Sequence, residues 1–174
     1  MLDVGCGIGG PARRLSDLRR SRIVAFDVVE DLVSAARALA SETARISFLV
    51  ADADHLPFAA SSFDQVWALG VLAHTRFVRF AEEARRVLVE GGTFGAVEVL
   101  WNGRANPRFA GSAPRPWTPY TPNDVSEALD RAGFSRVDVS VPDALRDPDP
   151  LDERLRRDLV DGRLAPHLIV ASVA

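Results

Sequence analysis

Lysine is missing altogether. The 21 basic residues of this 174-residue chain are all arginine, set against 24 carboxylates, for a formal net charge of -3. The arginines are scattered among the acids and form no stripe. That excludes nucleic acid as the main partner, because phosphate binding needs a clustered positive surface. Cysteine is down to one, Cys6, which excludes an intrachain disulfide and a Cys-based zinc site. His55, His74 and His167 show no metal-ligand spacing, so no metal is expected. No apolar run nears the roughly 20 residues that span a bilayer, and no membrane partner is expected. The opening residues carry no charged n-region followed by an apolar h-region, so the expectation is a soluble, cytoplasmic protein.

What is present suits one domain over residues 1–174, with 47% hydrophobic residues to fill its core. Four near-continuous apolar runs read as buried strands: Arg22 to Asp27, Ile46 to Asp52, Phe63 to Leu69 and Thr93 to Leu100. Such runs fit a parallel sheet covered on both faces. Helix-period segments separate them. Pro11 sits just inside the first, where its missing N–H costs nothing. Glu30 and Asp31 begin the second, against the helix dipole. Phe77, Phe80, Ala81, Ala84 and Leu88 line one face of a third, which Glu90 to Gly92 is expected to end. Thr121 offers an N-cap to a fourth, followed by Pro122, with Gly133 as the stop. Arg136 to Val141 and His167 to Ala174 read as late strands, and Leu151, Leu155 and Leu159 as a short helix. This rhythm predicts an α/β, doubly wound, Rossmann-like sheet.

Gly5, Gly7 and Gly10 satisfy the spacing G-x-G-x-x-G between the first strand and the first helix. Glycines there permit a tight turn and a close ligand approach, and the helix start offers unpaired N–H groups. Asp27 ends the second strand, where an acid can accept both ribose hydroxyls. These features leave open a nicotinamide enzyme and an S-adenosylmethionine enzyme alike.

Longer stretches narrow the choice. "LDVGCGIGG" with "ADADHLPFAASSFDQVWALGVLAHT" resembles the class I S-adenosylmethionine-dependent methyltransferases, and "RRVLVEGG" and "LDRAGFSRV" look like that family's later segments. The resemblance implies seven strands in the order 3-2-1-4-5-7-6, the last antiparallel. It also implies S-adenosyl-L-methionine as cofactor. Asp3, Gly5, Cys6, Gly7 and Gly9 would form its turn, Asp27 and Val28 would meet the ribose, Asp52 and Ala53 the adenine, and Leu69 would lie at the fourth strand's end. Two departures stand out: Ala51 replaces a frequent Gly, and the cover helices that precede a full first strand are missing. The expectation is an N-terminally shortened chain whose first strand is short and whose site is completed by a missing N-terminal segment or a partner chain.

Methyl transfer needs a nucleophile aligned behind the methyl carbon and water kept out. His74, after the fourth strand, is the candidate catalytic residue, either as a proton acceptor or as a brace for the next helix. Cys6 reads as a small turn residue. Trp101, Arg104, Arg108, Phe109, Arg115, Trp117 and Tyr120 are candidates either to line an acceptor site or to close the domain's own surface. The expected function is methyl transfer to an oxygen, nitrogen or carbon of a small-molecule acceptor. The alternatives are an NAD(P)-dependent oxidoreductase, against which stands the lack of a Tyr–Lys pair, and a non-catalytic cofactor-binding remnant.

Overall fold

The computed structural model describes residues 1–19, 21–41, 45–103, 118–141 and 164–174. The first half alternates strand and helix: β1 Leu2–Val4, α1 Gly10–Arg19, β2 Ile23–Asp27, α2 Glu30–Leu39 and β3 Ile46–Val50. The second half runs β4 Phe63–Leu69, α3 Phe77–Val87, β5 Leu88–Trp101, α4 Pro122–Ala132, β6 Arg136–Ser140 and β7 Leu164–Ser172. The strands form one sheet in the order β3-β2-β1-β4-β5-β7-β6. Every pairing is parallel except those of β7, which runs antiparallel to both β5 and β6. This is the expected α/β sheet and order, with a first strand of three residues.

The alternation of side chains along β2 shows how the two faces are filled. Ile23 and Ala25 join Cys6 and Ala12 in one apolar cluster, with Leu15 of α1 packed against it. Phe26 joins the larger cluster on the other face, where Leu2, Val4, Val66, Ala68 and Phe94 meet α3 and α4. Phe77, Phe80 and Phe94 pack ring on ring there, with centroids 5.9 to 6.5 Å apart. Among the described residues, no helix is long and apolar enough to cross a membrane.

Local chemistry sets the helix ends. Thr121 accepts the Asp124 N–H at 3.1 Å while the Asp124 carboxylate accepts the Thr121 N–H at 2.8 Å, a reciprocal cap on α4. Gly133 closes that helix with φ +91°, in the left-handed region.

Some expected boundaries are corrected. α3 stops at Val87, not at Glu90 to Gly92, because Leu88 turns extended and pairs with Phe63. An apolar residue at that point buries itself equally well in a sheet, so the helical period overshoots. Glu90 to Gly92 fall within β5, where the ladder slips between the pairs Phe63 with Leu88 and Gln65 with Thr93. β3 ends at Val50, because beyond the ladder Asp52 turns to form a local bridge with His55. β7 begins at Leu164, three residues before the expected His167. The expected helix through Leu151, Leu155 and Leu159 lies outside the described residues.

Candidate functional site

The carboxyl ends of β1, β2, β3 and β4 open on one side of the sheet around a cavity of about 450 Å³. The glycine turn after β1 forms one wall. Gly5 takes φ +66°, and a Cβ on it would run into Val71. Gly9 takes φ +76°, and a Cβ there would meet the Phe48 ring at 2.8 Å. The turn is therefore glycine at these points for two reasons, conformation and close approach. A Cβ on Gly7 or Gly10 would meet nothing within 4 Å, so at those positions the backbone faces open space.

Asp27, at the end of β2, is tied to the turn. Its two carboxylate oxygens accept the N–H groups of Gly7 and Val29, each at 3.0 Å. The Phe26 carbonyl accepts the Cys6 N–H at 2.8 Å, which fastens the turn a second time. Cys6 is buried there, and burial, reinforced by the nearby charges of Asp3 and Asp27, pushes its thiol up to about 12. A thiol held so high stays protonated and is no nucleophile. Asp3 lies beneath the turn with Oδ2 buried and without a hydrogen-bond partner, and desolvation raises its carboxyl to about 7.

The loop after β3 forms the facing wall. The Asp52 side chain accepts the Asp54 N–H at 2.9 Å, and Ala53 is buried. Asp54 pairs with Arg76 at 2.8 Å through Oδ2, whereas its Oδ1 is buried without a partner. Helix α3 holds this loop from behind. Glu83 accepts the Leu56 N–H at 2.8 Å, and Arg86 donates to the carbonyls of Phe58 and Leu56. Glu83 and Arg86 also pair with each other, and that hydrogen bond holds the Glu83 carboxyl below its ordinary range.

His74 closes the cavity from β4. It ends a single helical turn, Leu72–His74, and its side chain is exposed at the rim. Glu98 on β5 holds this turn from below: its Oε2 accepts the Leu72 N–H at 2.7 Å and the Ala73 N–H at 3.4 Å. Tyr120 holds it from the side. Its hydroxyl donates to the Thr75 carbonyl at 3.0 Å and accepts the Phe77 N–H at 3.1 Å.

Gly5, Asp27, Val28, Asp52, Ala53 and His74 thus come together around one cavity. Asp3, Cys6, Gly7 and Gly9 stand behind them in the turn and its strand. Leu69 does not line this cavity; it lines a second one with Gly70, Val97, Glu98 and Val99. Arg104, Arg108, Phe109, Arg115 and Trp117 lie outside the described residues. Sequence reasoning missed Asp54 and Glu98. Glu98 did leave a signal: it shares a strand face with Phe94, Ala96 and Leu100, all buried, and an acid in that row demands partners.

The profile of a family described as "Methyltransferase domain" matches residues 2–96, more than half of the chain. The chain belongs to this family. It is that of the class I S-adenosylmethionine-dependent methyltransferases, and S-adenosylmethionine is their cofactor. The domain is 35% identical over 104 residues to a sterol 24-C-methyltransferase of Gibberella zeae, covering 58% of this chain and 27% of that protein. It is 35% identical over 152 residues to a malonyl-[acyl-carrier protein] O-methyltransferase of Geobacter sulfurreducens, covering 80% and 57%. The domain therefore spans about a quarter to just over half the length of these curated relatives. Among solved structures, a geranyl diphosphate C-methyltransferase from Streptomyces coelicolor, in complex with S-adenosyl-L-homocysteine, superposes with a TM-score of 0.85. It is 17% identical, covering 99% of this chain and 73% of that one, a likeness of fold.

Proposed function

We propose that this methyltransferase domain binds S-adenosylmethionine in the cavity at the strand ends and transfers its methyl group to a small-molecule acceptor. The observation that carries the reading is the convergence of Gly5, Asp27, Asp52 and His74 from three strand ends and the loop after a fourth on one cavity. The residues fit the cofactor. Acids and apolar side chains alternate along the walls, Gly7 and Gly10 leave backbone open, and Asp3 beneath the turn keeps a buried carboxylate oxygen without a partner. A nucleoside with an attached ammonium needs those features.

When bound, the cofactor supplies a methyl group on positively charged sulfur. Asp27 holds the ribose while its carboxylate keeps the glycine turn in place. Asp52 and Ala53 receive the adenine, and Asp3 orients the turn toward the methionine end. His74 takes a proton at a ring nitrogen from an oxygen or nitrogen nucleophile. Cys6 stays a neutral turn residue.

Calorimetry tests the binding. S-adenosylmethionine or S-adenosylhomocysteine binds in preference to NAD, and Asp27→Ala weakens that binding by about 1.5–3 kcal/mol, the scale of hydrogen bonds to a charged group. Tighter binding of NAD overturns the reading. With an acceptor found by screening small molecules, His74→Gln lowers turnover on the order of 10² or more with cofactor affinity nearly unchanged.

A further inference from the structure

Glu98 is a carboxylate in a row of core residues, and one of its oxygens is aimed at the Leu72–His74 turn. Phe94, Ala96 and Leu100, on the same face of β5, are each buried to within 1%. Oε2 accepts from Leu72 and Ala73, and Oε1 accepts from the Val99 N–H at 3.0 Å. Oε2 faces the two donors of the turn, so a proton there would displace a bond and loosen the turn, while Oε1 is held by the Glu98 strand itself. Among the described residues, neutral groups also fasten the turn: Tyr120 at Thr75 and Phe77, and the Thr118 N–H on the Ala73 carbonyl at 2.8 Å.

We propose that Glu98 is a positioning residue, whose buried carboxylate fixes the Leu72–His74 turn and sets the place and charge environment of the His74 imidazole. This deepens the reading of His74 as proton acceptor and rests on it for its catalytic meaning. A buried negative charge next to the turn stabilises the imidazolium that forms when His74 takes a proton. Burial raises the Glu98 carboxyl above its ordinary range, while the N–H groups of Val99, Leu72 and Ala73 and the charge of His74 pull it back. Among the described residues, ionisable groups near Glu98 and the turn it holds include two histidines and a tyrosine. His74 stands on the turn itself. His167 on β7 is its register partner, with Nδ1 on the Ala165 carbonyl at 2.8 Å, and Tyr120 precedes α4. Helix α3 presents Phe77 and Phe80, which carry no charge.

The test is NMR spectroscopy, at one pH, of the intact chain, which has only three histidines, with the His74 ring assigned through His74→Gln. Glu98→Gln keeps the shape and one carbonyl acceptor but removes the charge. Its expected effect is a displacement of the His74 ring resonances together with the Leu72 and Ala73 amides, because the turn loses its charged acceptor. Tyr120→Phe removes a neutral brace, so it lowers the melting temperature and leaves the His74 ring resonances near those of the wild type. Unmoved His74 ring resonances in Glu98→Gln overturn the proposal, and so does an equal displacement in Tyr120→Phe. If Glu98→Gln does not fold, Glu98→Asp decides: displaced His74 ring resonances support the proposal, and undisplaced ones overturn it. The readout needs no acceptor. Loss of the Glu98 effect therefore fails this inference alone, whereas full turnover in His74→Gln fails the proton-acceptor reading alone.

Discussion

Asp3 shows what one side chain reveals when its environment is costed. It stands on a three-residue strand with 3% of its surface exposed and with Oδ2 lacking any hydrogen-bond partner. Burial disfavours the charged form, so the folded carboxyl titrates at about 7 against an ordinary 3.8. A raised value in the folded state means that the fold binds this proton more tightly than the unfolded chain does. The associated stability is complete below about pH 4 and is lost as the pH rises through about 7. Asp3→Asn cannot ionise. Above pH 7 it is expected to be more stable than the wild type by on the order of 3 kcal/mol, and near pH 4 the gap closes. Thermal melts of both proteins across that range check this, and equal stability at pH 8 would show that Asp3 ionises without cost. From the sequence, Asp3 was readable as an acid before a glycine turn. Its isolation was not, because that depends on what the neighbouring strands leave uncovered.

At the scale of elements, legibility followed the presence of end signals. Helix α4 had them at both ends, in Thr121 with Pro122 and in Gly133, and it forms between those limits. A side-chain cap satisfies an orphan N–H at the helix start, so Thr121→Ala is expected to lower stability by about 1 kcal/mol. Asp124→Asn, which keeps an oxygen for the Thr121 N–H, loses less. Denaturant unfolding of the two variants measures the difference, and equal losses would deny the reciprocal cap. The junction of α3 and β5 had no such signal. Leu88 and Val89 continue the apolar pattern of the helix, and only the pairing of Leu88 with Phe63 decides that the chain turns extended there. Periodicity reports burial, and burial alone does not say against what. The same limit hid Glu98: the sequence displays an acid in a strand, while its bonds to Leu72 and Ala73 arise 26 and 25 residues away.

Over the whole molecule, the sheet order turns scattered residues into a site. β1 lies between β2 and β4, so the glycine turn, Asp27, the Asp52 loop and the His74 turn all emerge on one rim. The far edge, β7 and β6, contributes none of the cavity's lining. The strand order and two of the cavity's acids, Asp27 and Asp52, were readable because they belong to motifs in sequence order. The bracing by Glu83, Arg86 and Tyr120 was not, because it joins segments by side-chain reach across the fold. This geometry makes a prediction about how a ligand is felt. A molecule that binds only the folded state stabilises it by about 2.7 kcal/mol at a concentration of 100 Kd. Amides that exchange by local opening gain protection where the ligand holds the backbone. With S-adenosylhomocysteine bound, slowed hydrogen exchange is expected at residues 5–10, 27–29, 52–55 and 70–75. Strand β6 and the end of α4 at Gly133 should exchange as in the free protein, apart from any rise in global stability. Asp27→Ala, at the same ligand concentration, should lose the protection in all four segments together, because its carboxylate joins the turn to the end of β2. Protection confined to one segment, or centred on β6 and β7, would place the ligand elsewhere and take the rim out of the account.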